Sequence, residues 1–173
     1  QLAKKAGIQV AETKLMAVSG FSHHVLLSKR FDRIGTNRVH TVSAMTLTNL
    51  QDGEDASSGN GYLDIVDTIV SGMGIAEADK NLKELYRRVA FSICIGNHDD
   101  HFRNHAFVLT SNGWTLSPAY DITPTLNKPE HEMTVLGNGQ PTEEDLLKIA
   151  KEIKLSLKDC KEIIQIIKYV LSK

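Results

Sequence analysis

The residues able to do chemistry are concentrated between Gly96 and Asp121, a stretch that reads G-N-H-D-D-H-F-R-N-H-A-F-V-L-T-S-N-G-W-T-L-S-P-A-Y-D. Asp99 stands five positions before Asn104, and Asp121 follows beyond two short apolar segments separated by an Asn-Gly pair. A carboxylate, an amide and a second carboxylate in that order suit phosphoryl transfer. The reaction needs a group to receive a hydroxyl proton, and hard oxygen ligands for Mg²⁺ beside the nucleotide phosphates. Asp99 is the candidate base. Asn104 offers a neutral amide oxygen that shares the metal without placing a second full charge beside the base, and Asp121 supplies the anionic ligand. The segments 106–110 and 114–116, with Ser111-Asn112-Gly113 between them, predict a tight hairpin with a two-residue turn. A hairpin returns the chain to its start, so Asn104 and Asp121 are expected to be neighbours.

An Asp, an Asn five residues on and a later Asp is the order of parts in a protein-kinase site. The local wording is narrower. D-x-H-x-x-N at Asp99, His101 and Asn104, followed by S-P-x-Y-D-x-x-P-T from Ser117 to Thr125, resembles the HipA-like family of bacterial serine/threonine kinases. Lys29-Arg30-Phe31-Asp32-Arg33 is similar to the R-F-D-R that follows the segment between the two lobes of those kinases. The resemblance covers most of residues 1–136. One departure is Asp100, where the family commonly has a small residue; of the adjacent carboxylates only Asp99 keeps the five-residue step.

The resemblance implies transfer of the γ-phosphoryl group of ATP to a protein hydroxyl, with Asp99, Asn104 and Asp121 as catalytic residues and Asn104 and Asp121 as the Mg²⁺ ligands. It places the nucleotide against Lys29, Arg30, Phe31, His101 and Tyr120 as well, with residues 29–31 edging the adenine. Read without it, residues 29–31 are equally an edge strand ending in a solvated Lys-Arg pair. His101 is either a group near the phosphates or an orienter of its own loop, and Arg103 reads as a surface charge. The resemblance further implies a toxin role, a protein substrate and a DNA-binding antitoxin as partner.

Composition sets outer bounds. The 173 residues suffice for one domain with a real core, and 20 basic against 21 acidic residues leave a formal charge of −1. That balance gives no bulk attraction to nucleic acid or anionic lipid, so direct nucleic-acid binding is not expected. No apolar run approaches the ~18 residues of a spanning helix, and no signal-peptide pattern opens the chain. Cys94 and Cys160 each fall inside an apolar helical pattern, which predicts two buried thiols and a reducing, cytoplasmic setting.

The elements that must position the site are predicted as follows. A helix over 2–6 ends at Gly7; strands at 13–18 and 25–29 flank Ser19-Gly20; a short helix covers 43–50. Residues 51–61 are a polar loop whose trio Asp52, Glu54 and Asp55 lacks the bidentate Glu of a Ca²⁺ loop. A helix runs from Tyr62 to Met73, ended by Gly72 and Gly74. Asp79 caps a longer one with an apolar stripe of Leu82, Leu85, Tyr86, Val89 and Ile93 and an exposed face of Lys83, Glu84 and Arg87. That helix delivers the chain to Gly96 as a rigid mount. A strand is expected over 133–136, then helices from Thr142 to about Ile153 and from Ser156 to about Leu171. His105 and His131 are expected to be partly exposed.

The expected fold is thus α+β: a mostly helical C-terminal kinase-like lobe, one domain over residues 1–173, with small β-hairpins carrying the catalytic loop and residues 1–33 as a hinge-proximal segment. The phosphate-covering loop and its lysine are absent from the sequence, so an N-terminal lobe is expected to be missing. Two other readings remain. One is a metal-dependent phosphohydrolase using His98, Asp99 and His101, since Gly96-Asn97-His98-Asp99 spells a short metallophosphoesterase motif without its upstream partners. The other is a non-catalytic pseudokinase that serves as an interaction module.

Overall fold

A computed structural model describes residues 1–54, 56–71, 77–125 and 127–173. Asp55 of the acidic trio, and the helix end at Gly72, Met73 and Gly74, lie outside the described residues. The elements in chain order are α1 (Leu2–Lys5), β1 (Thr13–Ala17), β2 (His24–Ser28), β3 (Arg33–Ile34), β4 (Asn37–Arg38), β5 (Thr41–Ser43), α2 (Ala44–Leu47), α3 (Tyr62–Val70), α4 (Ala78–Ile95), β6 (Ala106–Thr110), β7 (Gly113–Leu116), α5 (Glu143–Glu152) and α6 (Leu157–Leu171). Short 3₁₀ turns cover Ala56–Ser58 and Phe102–Asn104. The fold is α+β, as expected.

The core gathers around α4. Leu85, Tyr86, Val89 and Phe91 are buried against Ile65 and Ile69 of α3 and Ile163, Ile164 and Ile167 of α6. Side chains of this size contribute roughly 1.5–3 kcal/mol each when fully buried, which fixes α4 in place far more firmly than its own hydrogen bonds would. Its polar face differs from expectation. Lys83, Glu84 and Arg87 are half-buried, because Glu84 is turned inward to take hydrogen bonds from the Gln9 backbone, Arg87 and Arg88. Asp79 lies in the first turn rather than at the cap, which is Glu77.

Among the described residues three antiparallel sheets complete the frame: β1-β2, β3-β4 and β5-β6-β7. The β6-β7 hairpin has the predicted two-residue turn, with Thr110 opposite Gly113 and Phe107 opposite Leu116. Its third strand, β5, is not among the predicted elements and pairs Val42 with Phe107. Every residue of β1 and β2 is exposed, including Leu15, Leu26 and Leu27. Residues 133–136 form no strand, only isolated bridges, Gly61 with Thr134 and Val135 with Asn138. The first depends on glycine: a Cβ at Gly61 would sit 2.3 Å from the Thr134 carbonyl oxygen. The two C-terminal helices begin at Thr142 and Ser156 caps, each accepting from the backbone N–H three residues on. Cys160 is buried but Cys94 is exposed, since it lies off the inward stripe of α4. Among the described residues no helix is long and apolar enough to cross a membrane.

Candidate active site

The site is mounted on the end of α4. Gly96 closes the helix in the left-handed conformation, φ 67°, which glycine adopts without steric cost and which turns the chain sharply into the loop. The next buried anchors are Asn97, Asp100, Phe102 and Asn104. Asp99 and Asp100 therefore face opposite ways, one to the cleft and one to the core.

Asp100 is the inward one. Its Oδ2 accepts hydrogen bonds from Tyr62 Oη at 2.8 Å and Ser92 Oγ at 3.0 Å, while Oδ1 lies 3.0 Å from His105 Nε2. Burial alone would push this carboxyl up, but the neighbouring His105, Tyr62 and Ser92 outweigh it and hold the group below the usual carboxylate range. Burial and the Asp100 charge push the Tyr62 hydroxyl well up, so it stays a donor. This network ties α3, α4 and the loop together. It also explains why His105 is buried rather than partly exposed: it is a partner of Asp100.

Asp99 opens into a cleft of about 440 Å³ lined also by Asp52, His101, Arg103, Lys128 and Glu132. Its carboxylate is ion-paired with Lys128 Nζ, which also donates to Glu132 at 2.6 Å. The Lys128 hydrogen bond holds the Asp99 carboxyl below its ordinary value, and Asp99 with Glu132 holds the ammonium above its own. Asn104 Nδ2 donates to the Asp99 backbone carbonyl at 3.2 Å, which fixes the amide with its oxygen on the other side. Arg103 is ion-paired with Asp52 at the surface. His101 lines the same cleft with a buried Nδ1 that has no partner among the described residues.

The Asp121 arm arrives from β7. Ser117 N–H donates to Ala106 at 2.8 Å, Ser117 C=O accepts from the buried Arg88 Nη2 at 2.6 Å, and Ala119 pairs with Gln9 and Ala11. Tyr120 Oη donates to the Arg103 carbonyl at 2.6 Å, and its ring packs on Phe31 at 5.5 Å. The arm is thereby fastened to the residue before Asn104 and to the Lys29–Phe31 segment. Asp121 itself is exposed, with φ 55°, and accepts no hydrogen bond among the described residues. Asp tolerates that conformation better than most side chains, at a cost on the order of 1–3 kcal/mol. An oriented amide oxygen and an unengaged carboxylate are the hard donors Mg²⁺ takes, the remainder coming from phosphate oxygens and water; the donor set fits.

Of the other candidate residues, Phe31 joins the site through Tyr120, while Lys29 and Arg30 are exposed and paired with Glu12 and Asp32. Arg30 draws the Asp32 carboxyl down to about 2. A cleft of about 450 Å³ lies between these residues, Val10 and Pro118. His98 Nδ1 lies 2.5 Å from the Lys128 carbonyl and its ring packs 4.5 Å from His131, which is buried rather than partly exposed.

Sequence reasoning missed Lys128 and Arg88. Lys128 sits in a Pro-flanked loop with no pattern to place it. Arg88 did carry a signal: it follows Leu85 by three and Glu84 by four, which sets a cation on the apolar stripe with its counterion one turn back.

A loop on the end of a buried helix, followed by a hairpin whose far end is fastened back to that loop through Tyr120, is the arrangement of a kinase-like lobe. The chain belongs to the HipA-like C-terminal domain family, whose family model matches residues 1–173. It is 29% identical over 175 residues to the Sinorhizobium fredii protein named "Putative kinase Y4dM", covering 91% of this chain and 42% of that one. It is 26% identical over 140 residues to a Haemophilus influenzae protein named "Putative kinase", covering 75% and 40%. The chain thus spans about two fifths of the length of these relatives. Among solved structures it is similar to HipA of Shewanella oneidensis MR-1, in complex with HipB and operator DNA, with TM-score 0.74, 18% identity, and 98% of this chain and 47% of that one covered. It is also similar to the Helicobacter pylori proinflammatory kinase CtkA, with TM-score 0.62, 16% identity, and coverage of 99% and 76%.

Proposed function

We propose that this chain is the catalytic lobe of an ATP-dependent serine/threonine protein kinase of the HipA-like family. The observation that carries the reading is the Asn104 amide, held by the Asp99 carbonyl with no partner for its oxygen among the described residues, on the loop to which Tyr120 fastens the Asp121 arm. In this reading Asp99 accepts the proton of the substrate hydroxyl, and Asn104 and Asp121 hold Mg²⁺. When bound, Mg²⁺ neutralises charge on the phosphate oxygens. Phe31, backed by Tyr120, borders the adenine, and residues 29–30 offer backbone groups to its edge. His101 faces the phosphates from the Asp99 cleft.

The hydrolase reading has less support, because two of its three residues are already engaged, His98 by the Lys128 carbonyl and Asp99 by the Lys128 ammonium. A DNA-binding antitoxin partner and a cytoplasmic toxin role are part of the proposal. The complex of the Shewanella protein with HipB and operator DNA supports the partner.

The test is calorimetric titration of the full-length protein with ATP and Mg²⁺. Asp121→Ala is expected to abolish Mg²⁺-dependent binding with the fold intact; unchanged affinity would sink the metal assignment.

A further inference from the structure

Among the described residues Lys128 is the one cation in hydrogen-bond contact with the proposed base. It comes from the segment after Asp121, which is docked on the catalytic loop at several points. Thr125 N–H donates to the Gly96 carbonyl at 2.8 Å, Glu132 N–H to the His98 carbonyl at 3.0 Å, and the Lys128 carbonyl meets His98 Nδ1. The backbone of residue 128 is therefore fixed relative to residue 98, immediately before Asp99. An ammonium has three N–H donors. Two point to Asp99 and Glu132, and the third has no protein acceptor among the described residues.

We propose that Lys128 is a catalytic residue of the transfer, orienting the Asp99 carboxylate and donating its remaining N–H to an oxygen of the γ-phosphoryl group. The inference rests on the kinase reading above. Its geometry follows from reach. A base must lie within a hydrogen bond of the attacking hydroxyl, and that hydroxyl within about 3–3.5 Å of phosphorus. A cation bonded to the base is then a small side-chain shift from the equatorial oxygens. The substrate oxygen forms its bond to the γ-phosphorus as the bond to the β–γ bridging oxygen breaks, and ADP leaves with that electron pair. The hydroxyl proton passes to Asp99. Lys128 stays protonated throughout and offsets the negative charge. Arg103, the other cation of the cleft, is turned to Asp52 at the rim and touches neither carboxylate of the site.

Two variants of the full-length protein test this, Lys128→Met and Lys128→Arg. The readouts are single-turnover loss of label from γ-labelled ATP with Mg²⁺, calorimetric affinity for Mg²⁺-ATP, and the thermal midpoint. Removing a preorganised donor to developing charge typically lowers the rate about 10²–10³-fold. The expected result is a loss of that size in Lys128→Met with affinity reduced less than tenfold and the midpoint retained, and recovery of at least a tenth of the rate in Lys128→Arg. A Lys128→Met rate within threefold of wild type overturns the proposal and leaves the kinase reading standing. So does a rate loss matched by lost affinity or lost fold with no recovery in the arginine variant, which marks Lys128 as a structural clamp. Absence of turnover in the wild-type protein overturns the kinase reading, and this proposal with it.

Discussion

Tyr120 donates its hydroxyl to the backbone carbonyl of Arg103 at 2.6 Å, and by that bond the segment carrying Asp121 is tied to the turn carrying Asn104. Hairpin strands alone would bring the two ends into the same region; this bond sets their spacing.

Tyr120→Phe keeps the ring on Phe31 and removes only the donor. A net hydrogen bond is worth about 0.5–1.5 kcal/mol, so the urea midpoint should fall modestly. Mg²⁺-ATP affinity of the full-length protein should fall further than that of ATP without metal, because the proposed metal ligands Asn104 and Asp121 lose their mutual register. Equal losses in both titrations would detach Tyr120 from the metal site.

The adjacent carboxylates Asp99 and Asp100 should separate cleanly by substitution. Asp99→Asn is expected to lower phosphoryl transfer about 10²–10⁴-fold at an unchanged thermal midpoint, since the amide cannot take a proton. Asp100→Asn should instead lower the midpoint and retain most of the rate per folded molecule, because that side chain serves Tyr62, Ser92 and His105. Single-turnover transfer paired with thermal melts reads both; the opposite pattern would shift the catalytic register by one residue.

Acid should act through Asp100. Its native value lies below the ordinary ~3.9 of an unfolded Asp, so its contribution is present at neutral pH and is lost as the pH falls from about 4 through the native value. Urea midpoints taken between pH 7 and pH 3 should therefore drop more steeply in the wild type than in Asp100→Asn. Parallel curves would remove this carboxylate from the acid response.

Arg88 is a buried cation joining Glu84 on its own helix to the Ser117 carbonyl, and burial lowers its pKa. Arg88→Ala should cost about 3–5 kcal/mol by chemical denaturation, as removal of one member of a buried pair does. Arg88→Lys should recover little, for a single ammonium cannot reproduce the forked contacts. A loss under 1 kcal/mol in Arg88→Ala would show that Glu84 and Ser117 are satisfied without it.

The parts of the fold that rest on local chemistry were readable beforehand: the Thr142 and Ser156 caps, the stripe of α4 through Leu82, Leu85 and Val89, the two-residue turn between β6 and β7, and the glycine after α1. The step from Asp99 to Asn104 was legible for the same reason, being set by one turn of backbone. What stayed hidden depends on residues far apart in sequence. β5 is three residues long and identifiable only by its pairing with β6. His105 and His131 look like solvated loop histidines until Asp100 and His98 are placed beside them. Lys128 reaches Asp99 across twenty-nine positions with no periodicity to announce it.

The β1-β2 hairpin, wet on both faces, has a consequence for exchange of its amide hydrogens. A two-stranded ribbon without a packed face is marginal in water, so its cross-strand amides, such as that of Leu27, two residues before the Lys29 N–H that bonds the Glu12 carbonyl, should open at far lower free energy than those of α4 and should exchange first with deuterated solvent. Its outer edges also present N–H and C=O groups beside Leu15, Met16 and Leu27 that pair with no further strand among the described residues, the arrangement that templates strand addition. Concentrated solutions of these 173 residues should therefore self-associate through this ribbon, and a Lys in place of Leu26 should restore solubility without touching the catalytic loop.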